Sequence, residues 1–65
     1  MTMKIIFTAK QKHDAIKREL SYRQYVYPKR IARREMSQKL ADYQIAVFEQ
    51  ILQDYIEAEK KERLL

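Results

Sequence analysis

The chain has 65 residues and a formal net charge of +5, and it contains no cysteine, no glycine, one proline and one histidine. This length allows at most one small domain, and the lack of cysteine excludes disulfides and thiolate metal sites. A single histidine excludes most zinc sites and most catalytic triads, and without glycine the chain cannot form a glycine-rich phosphate-binding loop.

The charge is divided unevenly along the chain. Residues 1–34 contain ten lysines and arginines against two acidic residues, whereas residues 35–65 contain four basic residues against seven acidic ones. The basic half can therefore pack against the acidic half, or it can face an anionic partner. The longest apolar run, Ile5-Ile6-Phe7, is too short for a membrane span or a signal-peptide core. These features predict a soluble, intracellular protein with no membrane contact.

The first predicted elements are an N-terminal arm and a helix. Residues 1–7 are partly β-branched and fit either an extended arm or a short strand. Thr8 and Gln11 have the spacing of a capping box, in which each side chain bonds the other residue's backbone N–H at a helix N-terminus. The lysine-, glutamine- and leucine-rich sequence that follows favours a helix over about residues 8–27.

Pro28 interrupts the helical pattern, because its ring lacks an N–H donor and pushes the preceding residue away from helical angles. It is expected to end or kink the first helix. Since proline suits the first position of a helix, residues 28–35 are predicted to form a short helical connector. Ser37 is an N-cap candidate for a second helix over about residues 37–63. The predicted fold is therefore all-α, an antiparallel helical hairpin with a short connecting helix.

The apolar residues of the second helix cover roughly half of its circumference, which is wider than the stripe of about 100° that one partner helix needs. A two-helix hairpin of this size also lacks an adequate core of its own. The simplest solution is a homodimer in which two hairpins form a four-helix bundle, and the alternative is a different protein that covers the same face. The residues predicted to form the core and the dimer contact are Ile16, Leu20, Val26, Ile45, Phe48, Ile51, Leu52 and Tyr55.

The expected pairing of the helices also sets a register for the hairpin. In this register three contacts align the helices: Leu20 with Val47 and Phe48, Ile16 with Ile51 and Leu52, and His13 with Tyr55. Two polar residues, Arg23 and Gln44, then fall on facing apolar stripes. Because an unpaired buried polar group costs about 1–3 kcal/mol, we expect Arg23 and Gln44 to form a buried hydrogen-bonded pair that fixes the register.

Side chains that could carry chemistry are few. His13 has Asp14 beside it, but adjacent helical residues point about 100° apart, so we interpret His13 as a packed or half-exposed residue. The acidic residues near the C-terminus lack a Glu-x-x-His motif, and a solvated face is expected for Asp54, Glu57, Glu59 and Glu62. The sequence therefore predicts no catalytic residue, no metal site and no cofactor, and hence no enzyme.

The best candidate for a binding surface surrounds the predicted connector, where basic residues follow tyrosines. We call this surface the basic corner, and its residues are Tyr22, Tyr25, Lys29, Arg30, Arg33 and Arg34. Tyrosine and arginine are favoured at protein interfaces, and a basic-aromatic surface is also typical of nucleic-acid binding. No helix-turn-helix turn, zinc knuckle or RNP pattern accompanies the corner. A further interpretation is a solvated connector that is partly neutralised by Glu35.

Two segments carry a recognisable pattern: Glu19-Leu20-x-x-Arg23-x-x-Val26-Tyr27-Pro28 and Met36-Ser37-Gln38-x-x-Ala41-Asp42-x-x-Ile45-Ala46-x-x-Glu49. Over about residues 19–56, the chain resembles small, mostly uncharacterised proteins of bacteriophages and prophages. The Val-Tyr-Pro and Met-Ser-x-x-x-Ala-Asp segments are the most specific parts of this resemblance.

The chain departs from that group at two places. Members often have glycine near position 34 or 35, where this chain has Arg34 and Glu35, so a continuous turn is expected rather than a glycine-capped one. They often have glutamate where this chain has Gln44, which leaves Arg23 a neutral partner. The resemblance implies a phage-type accessory protein in the cytoplasm of a bacterial host, where it binds a host protein such as a defence or regulatory factor. Nucleic-acid binding through the basic corner is the alternative.

Overall fold

In the computed structural model, which describes residues 5–64, the chain forms an antiparallel pair of α-helices. Helix α1 spans Ala9–Ala32 and helix α2 spans Gln38–Leu64. None of the described residues lies in a strand, so the predicted all-α hairpin is confirmed. Of the N-terminal arm predicted over residues 1–7, residues 1–4 lie outside the described residues, and residues 5–7 are in neither helix nor strand. In this part of the chain, neither helix has an apolar stretch that would reach across a bilayer.

Both helices begin with the caps that the sequence predicts. Oγ1 of Thr8 accepts from the N–H of Gln11 at 3.1 Å, and Oε1 of Gln11 accepts from the N–H of Thr8 at 2.8 Å, which completes the capping box. Oγ of Ser37 accepts from the N–H of Leu40 at 3.1 Å, as expected of an N-cap. Each cap satisfies a backbone donor without a partner inside the helix and is typically worth about 1 kcal/mol.

Helix α1 continues through Pro28 and does not end at residue 27 as predicted. A proline inside a helix removes the hydrogen bond to the carbonyl four residues before it, here that of Gln24. Gln24 and Pro28 are both exposed, so water can satisfy this carbonyl. The helical turn after the proline contributes Ile31, which is half-buried. Tertiary packing therefore outweighs the local preference of proline to stop the helix.

Of the short connecting helix predicted over residues 28–35, residues 28–32 are helical but belong to α1, and the connector itself is a tight non-helical turn over residues 33–37. The N–H of Glu35 bonds the carbonyl of Arg30 at 2.9 Å, and the N–H of Arg34 bonds the carbonyl of Ile31 at 3.0 Å. These two bonds form a Schellman motif, which places a left-handed residue at the position of Arg34. Arg34 has a φ of 59°, so the turn has glycine-type geometry although a continuous turn was expected.

The two helices pack about one helical turn away from the expected register. Nδ1 of His13 lies 2.6 Å from Oε2 of Glu59, and the hydroxyl of Tyr27 donates to Oε1 of Gln44 at 2.5 Å. The expected register placed His13 near Tyr55, which lies one turn before Glu59 along α2. The shift follows from the continuation of α1 through the proline, because every helical residue added before the turn moves the facing position further along α2.

The buried core of a single hairpin is small. Among the described residues, those that are buried are Ala9, Leu20, Tyr27 and Ala41. Of the eight predicted core and dimer residues, Leu20 is buried and the other seven are half-buried. The accessible surface is 5806 Å², against about 4450 Å² for a compact protein of this mass. The Cα radius of gyration is 15.0 Å, against about 10.7 Å for a compact chain of this length.

Candidate functional site

The basic corner lies at the turn end of the hairpin, where α1 stops and the connector begins. The structure brings its six predicted residues together there, and all are exposed: Tyr22, Tyr25, Lys29, Arg30, Arg33 and Arg34. Four of them recur three or four residues apart along α1 and its C-cap, so they share one helix face. The other two, Arg30 and Arg34, lie beside that face at the end of the helix and in the turn.

Lys29 and Tyr25 form a contact pair within the corner. Nζ of Lys29 donates to the hydroxyl of Tyr25 at 2.6 Å and lies 3.9 Å from the ring centroid, which is a cation–π distance. Tyr25 is 65% exposed and Tyr22 is 60% exposed, so both rings present apolar area to solvent. The corner is therefore a preformed surface in which a lysine already covers part of one aromatic ring.

The cations of the corner are not neutralised by ion pairs. Residues 27–39 contain five basic residues and one acidic residue, Glu35. Within the described part of the chain, no ion pair is formed by Lys29, Arg30, Arg33 or Arg34. The last turn of α1 also carries the negative end of the helix dipole, which favours positive side chains there. The corner thus presents a localised positive potential to solvent.

Arg34 has an uncommon backbone conformation for its residue type. Its φ of 59° is left-handed, and a side chain in that region costs about 1–2 kcal/mol. Glycine would adopt this conformation at a lower cost, and it occupies this position of the Schellman motif most often. A strained residue in an exposed turn is a physical indication of function. Here the strained residue is an arginine of the basic corner, at a position where glycine would cost less.

The opposite end of the hairpin, which we call the open end, is held by carboxylates that reach from α2 to α1. Oε2 of Glu59 contacts Nδ1 of His13 at 2.6 Å, and the N–H of Ala9 donates to the two carboxylate oxygens of Glu62 at 3.0 and 3.2 Å. The hydrogen bond with His13 lowers the pKa of Glu59, while desolvation of the carboxylate acts in the opposite direction. The charge of Glu62 lies at the N-terminus of α1, where the helix dipole favours it.

A polar cluster around the hydroxyl of Tyr27 lies between the helices. Nη1 of Arg23 donates to this hydroxyl at 2.6 Å, and the hydroxyl donates to Oε1 of Gln44 at 2.5 Å. Arg23 also pairs with Glu19 at 2.8 Å, and its guanidinium lies 4.3 Å from the ring centroid of Phe48. The hydrogen bond that Arg23 donates to the Tyr27 hydroxyl is the main cause that raises the pKa of Arg23. Arg23 and Gln44 are therefore joined through Tyr27 and not by the direct bond that was predicted.

A second exposed surface follows the first half of α2. Leu40, Tyr43 and Val47 are 45%, 67% and 39% exposed, and their spacing of three and four residues places them on one helix face. We call these three residues the α2 stripe. Leu40 and Val47 belong to the broad apolar arc that was expected to need a second neighbour, and the hairpin leaves them without one.

The sequence did not single out the contacts of Glu59 and Glu62, nor those of the Tyr27 hydroxyl. Glu59 is half-buried, so the solvated position predicted for it is wrong, whereas Glu62 is exposed as predicted although it also accepts from the N–H of Ala9. The available signal for Glu62 was a negative charge near the end of one helix and a capped N-terminus on the other. That signal becomes specific only when the register is known. For Tyr27, the signal was a hydroxyl group on an otherwise apolar stripe, close to the expected position of the polar residues Arg23 and Gln44.

The remaining chemical groups of the described part do not form a metal centre, since no three or more His, Cys, Asp or Glu side chains cluster to hold an ion within residues 5–64. No family model, curated protein or solved structure matches the chain. Its function must therefore be inferred from its own surfaces, chiefly the basic corner and the α2 stripe.

Proposed function

We propose that this is a non-enzymatic protein that acts by binding a protein partner through the basic corner. The observation that carries the proposal is a set of cations that make no ion pair within residues 5–64, beside two exposed tyrosines, at one end of the hairpin. Tyrosine and arginine often supply the binding energy of protein interfaces. The partner surface that fits is acidic, because it complements the positive potential and speeds association.

Nucleic acid is the alternative partner, because the unpaired arginines are suited to phosphates. The geometry of Tyr25 favours protein. Bases stack on free aromatic faces, whereas Nζ of Lys29 lies 3.9 Å from the centroid of the Tyr25 ring and occupies a face of it. An acidic protein surface does not need that face, since tyrosine contributes through its edge and its hydroxyl as well.

The resemblance to small phage and prophage proteins adds a biological context to the proposal. A protein of that kind works in the cytoplasm of a bacterial host, and we propose that its partner is a host protein such as a defence or regulatory factor. Binding would inhibit that factor by covering an acidic surface that it needs. This context rests on the motifs at residues 19–28 and 36–49 alone.

We further propose that the protein is a homodimer that forms a four-helix bundle. The accessible surface exceeds that of a compact protein of the same mass by about 1350 Å². A standard interface removes about 800 Å² from each partner, so one interface of ordinary size would account for more than half of this excess. Seven predicted core residues that are half-buried in one hairpin are consistent with a second contact.

Capture from a bacterial host lysate tests the corner, with two variants that lose the same charge. The corner variant carries Arg30→Gln and Arg33→Gln, and the control carries Lys17→Gln and Lys61→Gln, which are exposed and make no ion pair in the described part of the chain. The lysate is treated with nuclease to remove bridging nucleic acid.

We expect the unchanged protein and the control to recover the same host protein by mass spectrometry, and the corner variant to lose it. Recovery of nothing but the bait, or equal recovery by the corner variant, would contradict the proposed function.

Gel shifts with random DNA and RNA test the alternative partner. Binding through phosphates weakens steeply between about 50 and 200 mM salt, so the two salt concentrations identify it. We expect no shift at the lower concentration. A salt-sensitive shift that the corner variant loses would instead assign the basic corner to nucleic acid.

A further inference from the structure

We infer that the α2 stripe is the seam of an antiparallel homodimer, in which α2 packs on α2 of a second copy. This inference rests on the proposed homodimer and adds its face, its direction and its contacts. Exposed apolar side chains, the order of charges along α2 and the excess of accessible surface all support it.

The α2 stripe is an exposed apolar surface on a regular part of the fold. Its side chains are 45%, 67% and 39% exposed, and one turn further along the same face lies Ile51, which is half-buried. The other large apolar side chains that are exposed in the described part lie near the chain ends or in the basic corner: Ile5, Ile6, Phe7, Tyr22, Tyr25 and Leu64. The stripe is therefore the apolar surface of α2 that needs a partner.

The charges around the stripe select a second copy as that partner. Its N-terminal end adjoins Lys39 and the turn that carries Arg34, whereas its C-terminal end leads to Asp54. Within the described residues Asp54 makes no ion pair. A surface that passes from positive through apolar to negative complements itself when two copies run in opposite directions. Parallel copies would place like charges together.

A two-fold axis between Tyr43 and Val47 satisfies both the apolar and the charged contacts. Tyr43 then packs on Val47 of the partner subunit, and Leu40 packs on the partner subunit's Ile51. The turn with Arg34 approaches Asp54 of the partner subunit. In this arrangement the two basic corners lie at opposite ends of the four-helix bundle, so the dimer presents two binding surfaces and gains avidity for a partner with two acidic sites.

Sedimentation equilibrium tests the seam with a matched pair of variants, Val47→Glu and Ala46→Glu. Both positions are exposed in α2, but the rotation of about 100° between them takes Ala46 off the stripe. We expect the unchanged protein and Ala46→Glu to sediment as dimers. Val47→Glu should weaken dimerisation by at least about 100-fold, because it places a carboxylate in an apolar contact. Equal dimerisation of the two variants would overturn the seam.

A charge swap tests the direction of the seam and does not depend on an apolar core. Asp54→Arg would face Arg34 of the partner subunit and should weaken the dimer by about five-fold. Adding Arg34→Asp should restore it, and aspartate tolerates the left-handed conformation of that position. Within one chain the two positions lie roughly 25 Å or more apart along α2, so rescue would require a contact between copies. Failure of the rescue would overturn the antiparallel direction.

The outcomes separate the seam from the other proposals. A monomeric unchanged protein would overturn the homodimer and its seam together. A dimer that survives Val47→Glu would overturn the seam alone. The lysate test uses Arg30 and Arg33, which do not contact the partner subunit in this arrangement, so its result bears on the basic corner and not on the dimer.

Discussion

At the open end of the hairpin, residues 8–19 and 53–64 contain seven basic and six acidic residues, whereas residues 27–39 at the turn end contain five basic residues and one acidic residue. The two ends also differ in their contacts. Carboxylates of α2 bond to α1 at the open end, while the described residues of the basic corner form no ion pair at the turn end.

This difference changes the meaning of the net charge of +5. At the open end, two carboxylates contribute to folding, because Glu62 caps α1 and Glu59 joins the two helices through His13. At the turn end, Lys29, Arg30 and Arg33 make no ion pair within the described residues and remain available to another molecule, and Arg34 beside them has a strained backbone conformation. A modest overall charge can therefore conceal one strongly basic surface on a scaffold that is otherwise balanced.

The largest effect on stability is expected at Tyr27, which joins the helices next to the turn end. Tyr27→Phe removes the hydroxyl between Arg23 and Gln44 and should lower the free energy of unfolding by about 1–3 kcal/mol. Tyr25→Phe is the control, because its hydroxyl is exposed and should change stability by less than about 0.5 kcal/mol. Urea denaturation followed by circular dichroism measures both. Similar losses would show that the Tyr27 cluster does not hold the helices together.

A smaller effect, of opposite sign, is expected at the strained position of the turn. Arg34→Gly should raise the free energy of unfolding by about 1 kcal/mol, since glycine adopts a φ of 59° without a steric cost. Arg33→Gly is the matched control. Arg33 has a φ of −87°, so glycine gains nothing there and adds entropy to the unfolded chain. Thermal unfolding of the two variants should therefore shift in opposite directions; a lower midpoint for Arg34→Gly would argue against backbone strain.

A weaker effect is expected from the carboxylate that caps α1 at the open end. Glu62→Gln removes the charge at the helix N-terminus and should lower the free energy of unfolding by about 0.5 kcal/mol. Glu57→Gln is the control, because Glu57 is exposed and its bonds lie within α2. Recovery of the host protein should be unchanged in both variants. Lost recovery with Glu62→Gln would mean that the open end also takes part in binding.

The smallest effect is a dependence of stability on pH that arises at Glu59. Its pKa is lowered in the folded state by the hydrogen bond with His13. The group therefore adds stability at pH values above its pKa in the unfolded chain, and this stability is lost as the pH falls through the lowered folded value. Urea denaturation between pH 7 and pH 3 measures this dependence. The free energy of unfolding should fall less steeply at acid pH for Glu59→Gln than for the unchanged protein. An equal loss of stability at acid pH in the two proteins would show that Glu59 does not contribute to the pH dependence.

The parts of the fold that depend on neighbours in sequence could be predicted. Thr8, Gln11 and Ser37 act within one helical turn, so the spacing of the residues was enough to place the caps. The basic corner was visible for the same reason, since it is a local run of cations and tyrosines. What could not be predicted locally is whether those cations would find carboxylates, because this depends on the facing helix.

The errors have a common physical origin in the balance between local and tertiary terms. Proline inside a helix costs about 3 kcal/mol, and on that ground α1 was expected to stop before Pro28. Packing of the following turn outweighs this cost, and the register of the whole hairpin moves with it. The contacts of Glu59 and Glu62 depend on that register and were therefore missed. The left-handed conformation of Arg34 was missed because residue preferences favour glycine there.

The most direct test of the contrast between the two ends is an NMR titration of the ¹⁵N-labelled protein with a short polyglutamate peptide at low salt. If the positive charges of the turn end are not neutralised, the largest amide shifts should fall at residues 22–35. These shifts should disappear in the variant with Arg30→Gln and Arg33→Gln. Shifts of equal or greater size at residues 9–18, which are also rich in lysine, would contradict the conclusion that the open end is electrostatically satisfied and the turn end is the binding surface.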